Sequence, residues 1–275
     1  MIKVKGRFTW FQIFKYTIYG MLLVNVFLFL NKEVKSAAHR FSDGVAFSDL
    51  IDAYSSTIDT MAWVLLLFLF ELETFILSEK QLEGNIKWVL RILRSCSYAV
   101  ICFAFYGYCV KYGWVMDFST LQNSNLCSFV GQSWMVEVDE FETITTANCN
   151  SLNTASELLK KSGENILTDL IQWTEAFRLV LVDIFNSGAW ILVVLVLEVD
   201  IWLKLKDKLV GKVATVSKLI KVVLYTVLVV AAIYWGYAGS VLEFWDAFLW
   251  IVAFIFIESN LFAWQGETDV PTSIL

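Results

Sequence analysis

The sequence predicts an all-α membrane protein in which six transmembrane helices form three parallel two-helix hairpins around a pseudo-threefold axis, with a small extracytoplasmic cap. Three observations predict this fold class. Hydrophobic residues make up 58% of the 275 residues and charged residues only 17%, whereas a soluble domain is closer to half apolar and a quarter charged. Six apolar runs are long enough to cross a bilayer, and one residue motif recurs in three of them.

The six predicted spans group into three repeats, each with one outward and one inward span. The first run is expected to be an anchor rather than a signal peptide, because it is too long and lacks a small-residue cleavage site. The predicted bounds are repeat 1, residues 1–87 (spans 10–30 and 59–78, outer loop 31–58); repeat 2, 88–217 (spans 88–111 and 187–203, outer cap loop 112–186); repeat 3, 218–265 (spans 218–237 and 244–264); and a cytoplasmic tail, 266–275.

The basic residues predict the orientation. Lysine and arginine concentrate ahead of the first span, in the second-to-third connection and in the fourth-to-fifth connection. Short connections rich in these residues stay in the cytoplasm. We therefore expect both termini in the cytoplasm and the chain in the plasma membrane, which is the inner membrane of a bacterium.

A motif is shared by the three inward spans: an Asp or Asn, then a Trp four residues on, then a Glu eight residues further. Because the hairpins share one orientation, they predict parallel repeats around an axis along the membrane normal. The three Trp residues are expected to form a belt at the outer lipid interface. The motif occurs as Asp59-Trp63-Glu71, Asn186-Trp190-Glu198 and Asp246-Trp250-Glu258.

The Glu of each motif carries the functional hypothesis, because a carboxylate inside a membrane is costly and usually functional. Helical rise places Glu71, Glu198 and Glu258 in the inner third of the bilayer. Glu73 and Asp200 follow two residues after the first two of them. Such oxygen ligands suit protons or a hard cation such as Ca²⁺, Mg²⁺ or Mn²⁺. The sequence therefore predicts a channel or transporter for a cation or proton.

A structural role for the same acids is the alternative. Lys15, Arg94 and Lys221 lie a few residues inside the outward spans, at a comparable depth. Charged residues inside membranes usually pair with one another. On this interpretation the acids are neutralised, and the chain is a non-catalytic scaffold subunit of a larger membrane complex.

The long outer loop predicts the small cap. Cys127 and Cys149 both fall in it, and an oxidising compartment would let them form a disulfide. Residues 135–146 alternate apolar and polar side chains, as a strand or hairpin does. The apolar spacing over residues 154–185 predicts an amphipathic helix that can continue into the fourth span.

Several other functions are not predicted. His39 is the single histidine, so bis-histidine haem ligation is impossible, and neither haem nor another organic cofactor is expected. The sequence contains no Walker A, GxSxG or HExxH motif, so an enzyme is not expected, although a membrane enzyme acting on a lipid stays open as an alternative. The expected partners are the lipid bilayer and other membrane subunits or further copies of the chain. No nucleic acid partner is predicted.

Overall fold

The structure, a computed structural model, describes residues 10–41, 44–77, 84–121, 125–152, 157–204 and 206–268, with side chains at 10–11, 74–75 and 256–268 not included. The described residues are mostly helical and form eight α-helices and five β-strands. The helices are α1 Trp10–Arg40, α2 Leu50–Ala53, α3 Ser55–Glu71, α4 Asn85–Met116, α5 Cys149–Leu152, α6 Leu170–Lys204, α7 Lys212–Ala238 and α8 Val241–Thr268. The strands are β1 Phe118–Leu121, β2 Ser133–Glu137, β3 Glu140–Thr143, β4 Leu158–Lys161 and β5 Ile166–Asp169.

Four helices in the described part of the chain are long and apolar enough to cross a membrane, namely α1 from Gln12 onward, α4, α6 and α7. A fifth span results if Phe47–Ala53 and α3, which meet at a bend of 79°, are counted as one. The composition and length of these helices fit a helical membrane protein. The sixth predicted span, 244–264, falls within α8.

The six long helices close into a ring. Each contacts the next in the order α1, α3, α4, α6, α7, α8, and α8 returns to contact α1. One cluster of buried apolar side chains is contributed by all six helices, with Leu22, Val193, Leu249 and Ala253 fully buried. In a lipid environment, such close side-chain packing holds helices together, because lipid is as apolar as the side chains themselves.

The start of α3 is fixed by a neighbouring helix. The carboxylate of Glu33, a buried residue of α1, accepts hydrogen bonds from the backbone N–H groups of Ser56 and Thr57 at 2.8 and 3.0 Å. These N–H groups have no partner within α3 itself, so Glu33 caps that helix. At Gly107, α4 passes so close to α2 that an added Cβ would lie 2.8 Å from the Ile51 carbonyl oxygen.

The cap, residues 118–169, contains a five-stranded sheet in the order β1-β4-β5-β2-β3. The pairing of β2 with β5 is parallel, and the other neighbours are antiparallel. Its core includes the fully buried Trp134, Ile144 and Leu167. The expected Cys127–Cys149 disulfide is present and closes a segment of 22 residues beside this core.

The sheet corrects the all-α prediction. The hairpin expected over 135–146 is present as β2 and β3, but the helix expected over 154–185 begins only at Leu170. Residues 157–169, the described part before that helix, contain β4 and β5, which are joined by a turn in which Gly163 has a φ of +74°. All four residues of β5 are buried, so this strand lacks the apolar–polar alternation by which a half-exposed strand is recognised.

Candidate ion site in the helix bundle

The predicted inner acids whose side chains are described lie at separate helix–helix interfaces in the half of the bundle away from the cap. Lys15 of α1 donates to the Glu71 carboxylate of α3 at 2.6 Å, and the side chains of both residues are only 4% exposed. The Tyr16 hydroxyl donates to the same carboxylate oxygen at 2.9 Å. Glu71 is therefore held by a buried cation and a hydroxyl.

Two further acids have basic partners on a neighbouring helix. Arg94 of α4 forms an ion pair with Glu73, just beyond α3. The Asp200 carboxylate of α6 accepts from Lys221 of α7 at 2.9 Å and from the Ser217 hydroxyl at 2.6 and 2.7 Å. Lys15, Arg94 and Lys221 thus each contact one carboxylate.

Glu198 has a neutral partner instead. The Tyr98 hydroxyl donates to its carboxylate at 3.0 Å. Both residues line a cavity of about 140 Å³, which we call the inner cavity. The side chain of Glu258 lies outside the described residues, so its predicted role stays a prediction. Within the described part of the chain, no three His, Cys, Asp or Glu side chains are grouped closely enough to hold a metal ion.

The motif tryptophans correct another expectation. Trp63, Trp190 and Trp250 are buried inside the ring, with 6–8% of their surfaces exposed, and do not form a lipid-facing belt. The Trp63 ring centroid lies 6.3 Å from those of Trp190, Trp250 and Phe254. We call these four side chains the aromatic layer. Rings at this separation also attract one another through their quadrupoles.

On the cap side of this layer lies a cavity of about 80 Å³, the central cavity. Three residues from each inward helix line it: the Asp or Asn of the motif, its Trp, and a polar residue three positions before the Asp or Asn. Residues at these spacings share one helix face. They are Ser56, Asp59 and Trp63; Asp183, Asn186 and Trp190; and Glu243, Asp246 and Trp250.

Several polar groups of the central cavity that belong to the motifs have neutral partners or, among the described residues, none. The Asp59 carboxylate accepts from the Tyr108 hydroxyl at 3.3 Å, and Asp246 accepts from the Asn25 amide at 2.7 Å. Among the described residues, the second oxygen of Asp59 and the Asn186 amide oxygen have no hydrogen-bond partner, although both atoms are buried. The indole N–H of Trp235, a residue only 4% exposed, also has none in this part of the chain.

A wider, open cavity of about 650 Å³, the vestibule, lies between the cap and the ends of α1 and α8. It shares five lining residues with the central cavity, so the two are neighbours. Lys32 stands at this junction, with its ammonium 2.8 Å from Glu243, 3.7 Å from Glu140 and 3.9 Å from Glu137. The shared residues are Lys32, Glu137, Asp139, Ser240 and Glu243.

Two of the shared acids belong to the cap. Glu137 is the last residue of β2, and Asp139 lies in the turn between β2 and β3. Burial acts to raise the pKa of the Asp139 carboxyl, but the positive charges of Lys111 and Lys32 outweigh it, and the pKa is lowered from its ordinary value of 3.8. Lys111 is buried and donates to Asp139 at 2.8 Å. At Glu137, burial raises the pKa of the carboxyl by more than the positive charge of Lys32 lowers it. The pKa of Glu137 therefore lies above its ordinary value.

The inner cavity lies on the other side of the aromatic layer. It shares Trp63, Trp250 and Phe254 with the central cavity. The vestibule, the central cavity and the inner cavity therefore follow one another, and the aromatic layer separates the last two.

The motif is visible in the sequence, but the central cavity is not. Its lining residues Lys32, Asp183 and Glu243 were not among the predicted site residues. A signal for two of them was present, because Asp183 and Glu243 each stand three residues before the Asp or Asn of a motif. Lys32 belongs to a different helix, α1, so no sequence spacing from a motif indicates that it lines the cavity.

No protein family, no curated protein and no solved structure matches this chain. The fold and the lining residues define the chain as a mostly helical protein with several helices of membrane-spanning length and a buried polar cavity.

Proposed function

We propose that this chain is an integral membrane protein that handles a cation or proton along the centre of its helix bundle, as a channel or transporter. The observation that carries the proposal is the succession of three cavities, vestibule, central and inner, with shared lining residues. Carboxylates line all three of them. In a channel or carrier, such acidic linings attract cations and exclude anions.

The repeat prediction is part of this proposal. Six spans in three parallel hairpins would bring one motif from each repeat to a common axis. The lining of the central cavity supports it, because positions −3, 0 and +4 of each motif all contribute there. The closed order of helix contacts supports it as well.

The proposed orientation follows the distribution of basic residues. With both termini in the cytoplasm of a cell whose plasma membrane holds the protein, the cap and the vestibule face outside. A cation would then enter past Glu137, Glu140 and Glu243. The disulfide in the cap agrees with an oxidising outer compartment.

The roles of the acids differ within this proposal. Asp59, Asp183 and Asp246 are assigned to the path, because they line the central cavity. Glu198 is assigned to the inner end of the path. Glu258 holds the same motif position, and its assignment to the inner end stays a prediction. Glu71, Glu73 and Asp200 are assigned to helix packing, because each holds a basic side chain.

Flux through reconstituted protein tests the proposal. Purified protein in liposomes should carry protons or alkali cations down an imposed gradient, detected with an entrapped pH-sensitive or cation-sensitive dye. Asp246→Asn should reduce the flux at least tenfold. Asp117→Asn is the matched control, because Asp117, between α4 and the cap, has a 58% exposed side chain and lines none of the three cavities. Wild-type liposomes that pass no cation would contradict the proposal.

The scaffold interpretation is the second candidate, and the three ion pairs of the inner acids favour it. Acids that hold Lys15, Arg94 and Lys221 have no need of a transported ion. Native mass spectrometry of gently solubilised membranes tests it. A defined assembly with other subunits, together with absence of flux, would support the scaffold over the ion path.

A further inference from the structure

We propose that the central cavity binds a small organic ammonium compound. This inference rests on the proposed function and names the class of cation that the site takes. It is carried by the charge of the cavity, its aromatic walls, its size and its unpaired polar atoms.

The lining of the central cavity has an excess of acidic over basic side chains. Six carboxylate side chains border it, against a single lysine, Lys32. Lys111 compensates Asp139 from behind the lining. A buried carboxylate is costly unless it is paired, so the cavity favours a positively charged occupant. The six acids are Asp59, Glu137, Asp139, Asp183, Glu243 and Asp246.

The remaining wall is aromatic. Four tryptophans, with Phe29, Tyr108 and Phe254, face the same space. Indole faces attract ammonium groups, and aromatic cages are a common way to recognise alkylated ones. A hard metal ion instead needs six or more oxygen ligands around it. An ammonium compound suits both surfaces, because its charge can face the acids and its carbon atoms the rings. The tryptophans are Trp63, Trp190, Trp235 and Trp250.

The size of the cavity limits the ligand. A volume of about 80 Å³ holds about five to eight water molecules, at roughly 10–15 Å³ for each. A ligand with a similar number of non-hydrogen atoms, or fewer, would fit, which includes choline and the smaller ethanolamine.

Two buried polar atoms indicate a further feature of the ligand. Within the described residues, the Trp235 indole N–H lacks an acceptor, and the Asn186 amide oxygen lacks a donor. A ligand hydroxyl could supply a missing partner to either of them, because a hydroxyl both accepts and donates. We therefore expect an ammonium compound that carries a hydroxyl to bind more tightly than one that does not.

The contacts of Lys32 show how carboxylates at this site can hold an ammonium group. Its ammonium lies at the junction with the vestibule, within 4 Å of three carboxylates, those of Glu137, Glu140 and Glu243. The entrance of the cavity thus already holds a primary ammonium on an alkyl chain.

Isothermal titration calorimetry of the full chain in detergent micelles tests the inference. The probes are ethanolamine and choline, with ethylene glycol as the neutral control and NaCl and KCl at equal ionic strength as the inorganic controls. Saturable binding of at least one ammonium probe is expected, with no binding of ethylene glycol. Asp59→Asn/Asp246→Asn should weaken it at least tenfold, and Asp117→Asn should leave it unchanged.

A second variant keeps the test decisive if the double variant does not fold. Trp190→Phe keeps an aromatic ring but weakens the cation–π attraction, so it should weaken choline binding by about threefold to tenfold. Binding of Na⁺ or K⁺ without binding of either ammonium probe would overturn the inference, and so would wild-type protein that binds no probe. Flux of protons or alkali cations in liposomes would still support the proposed function in that case. Ammonium binding without any flux would support the inference and contradict the transport proposal.

Discussion

Acidic side chains occur in both halves of the helix bundle, but their partners differ. Away from the cap, Glu71 and Asp200 each accept a hydrogen bond from a lysine of an adjacent helix. On the cap side, Asp59 and Asp246 accept from a tyrosine and an asparagine and line a cavity. The first arrangement neutralises charge between helices, whereas the second leaves acids without a basic partner beside an open space. A buried acid therefore indicates function only when its partners are known.

Helix geometry explains how one motif produces both arrangements. An α-helix advances about 100° per residue, so a step of four residues turns the side chain by only about 40°. Asp59 and Trp63 consequently face the same cavity. Glu71, twelve residues after Asp59, is turned by about 120° and faces α1, where Lys15 lies. The accumulated rotation moves the Glu off the common axis.

The largest expected effect comes from breaking the buried pair in the inner half. Lys15→Met leaves the Glu71 carboxylate buried without its cation, which typically costs about 3–5 kcal/mol. We expect the free energy of unfolding, measured by denaturant titration in detergent micelles, to fall by that amount.

The double variant Lys15→Met/Glu71→Leu is the control for this change. Replacing both charges by apolar groups of similar size is often neutral, so most of the lost stability should return. If Lys15→Met alone leaves the unfolding free energy unchanged, Glu71 is not held as a structural pair, and the contrast between the two halves is wrong.

A smaller loss is expected at the second inner pair. Asp200→Asn keeps an acceptor for Ser217 but removes the charge that faces Lys221, whose side chain is 18% exposed. Hydrogen bonds to charged groups contribute about 1.5–3 kcal/mol, and water can reach this lysine. We expect a loss in the lower part of that range in the same titration. A loss as large as that of Lys15→Met would show that partial exposure does not matter here.

Little loss of stability, or a gain, is expected in the central cavity. Asp59→Asn replaces a buried acid whose hydrogen-bonding partner, Tyr108, is neutral. The unfolding free energy should stay within about 1 kcal/mol of the wild type or rise, because a hydrogen bond between neutral groups contributes about that much. A loss above 2 kcal/mol would place Asp59 with the structural acids of the inner half.

Much of the fold follows from the sequence, because apolar runs and basic connections constrain helices strongly. Five of the predicted spans fall within long helices, and the described part of the other, 59–77, begins in α3. The cap was harder to predict. Because β5 is buried on both faces, its sequence pattern fits one turn of a buried helix as well as it fits a strand. The disulfide was predictable because the other three cysteines share one apolar run.

The site was predictable only in part. The motif located Asp59, Asn186 and Asp246, but the cavity depends on which helix faces meet at the axis. That choice needs the relative rotation of the helices, which a periodic pattern in a uniformly apolar segment does not define. The tryptophans illustrate the difficulty, because a lipid belt and a buried layer use the same residue type at the same depth.

A pH-dependent form of the comparison concerns the cap-side residue Asp139. This residue borders the central cavity yet is paired with Lys111, like an inner acid. Its pKa lies below the ordinary value of 3.8, so it stabilises the folded state above that value, and the stabilisation is lost as the pH falls through the lowered pKa. Glu137 has a raised pKa, so the folded state should gain stability as the pH falls through it, above the ordinary value of 4.5.

Thermal unfolding between pH 3 and 7, followed by circular dichroism, separates these two contributions. Asp139→Asn should lower stability near neutral pH and flatten the decline below pH 4, because the group that titrates there is gone. Glu137→Gln should instead remove the gain at mildly acidic pH. If Asp139→Asn has no effect at neutral pH while Asp59→Asn destabilises the protein, then position along the bundle, and not the presence of a basic partner, determines how an acid contributes.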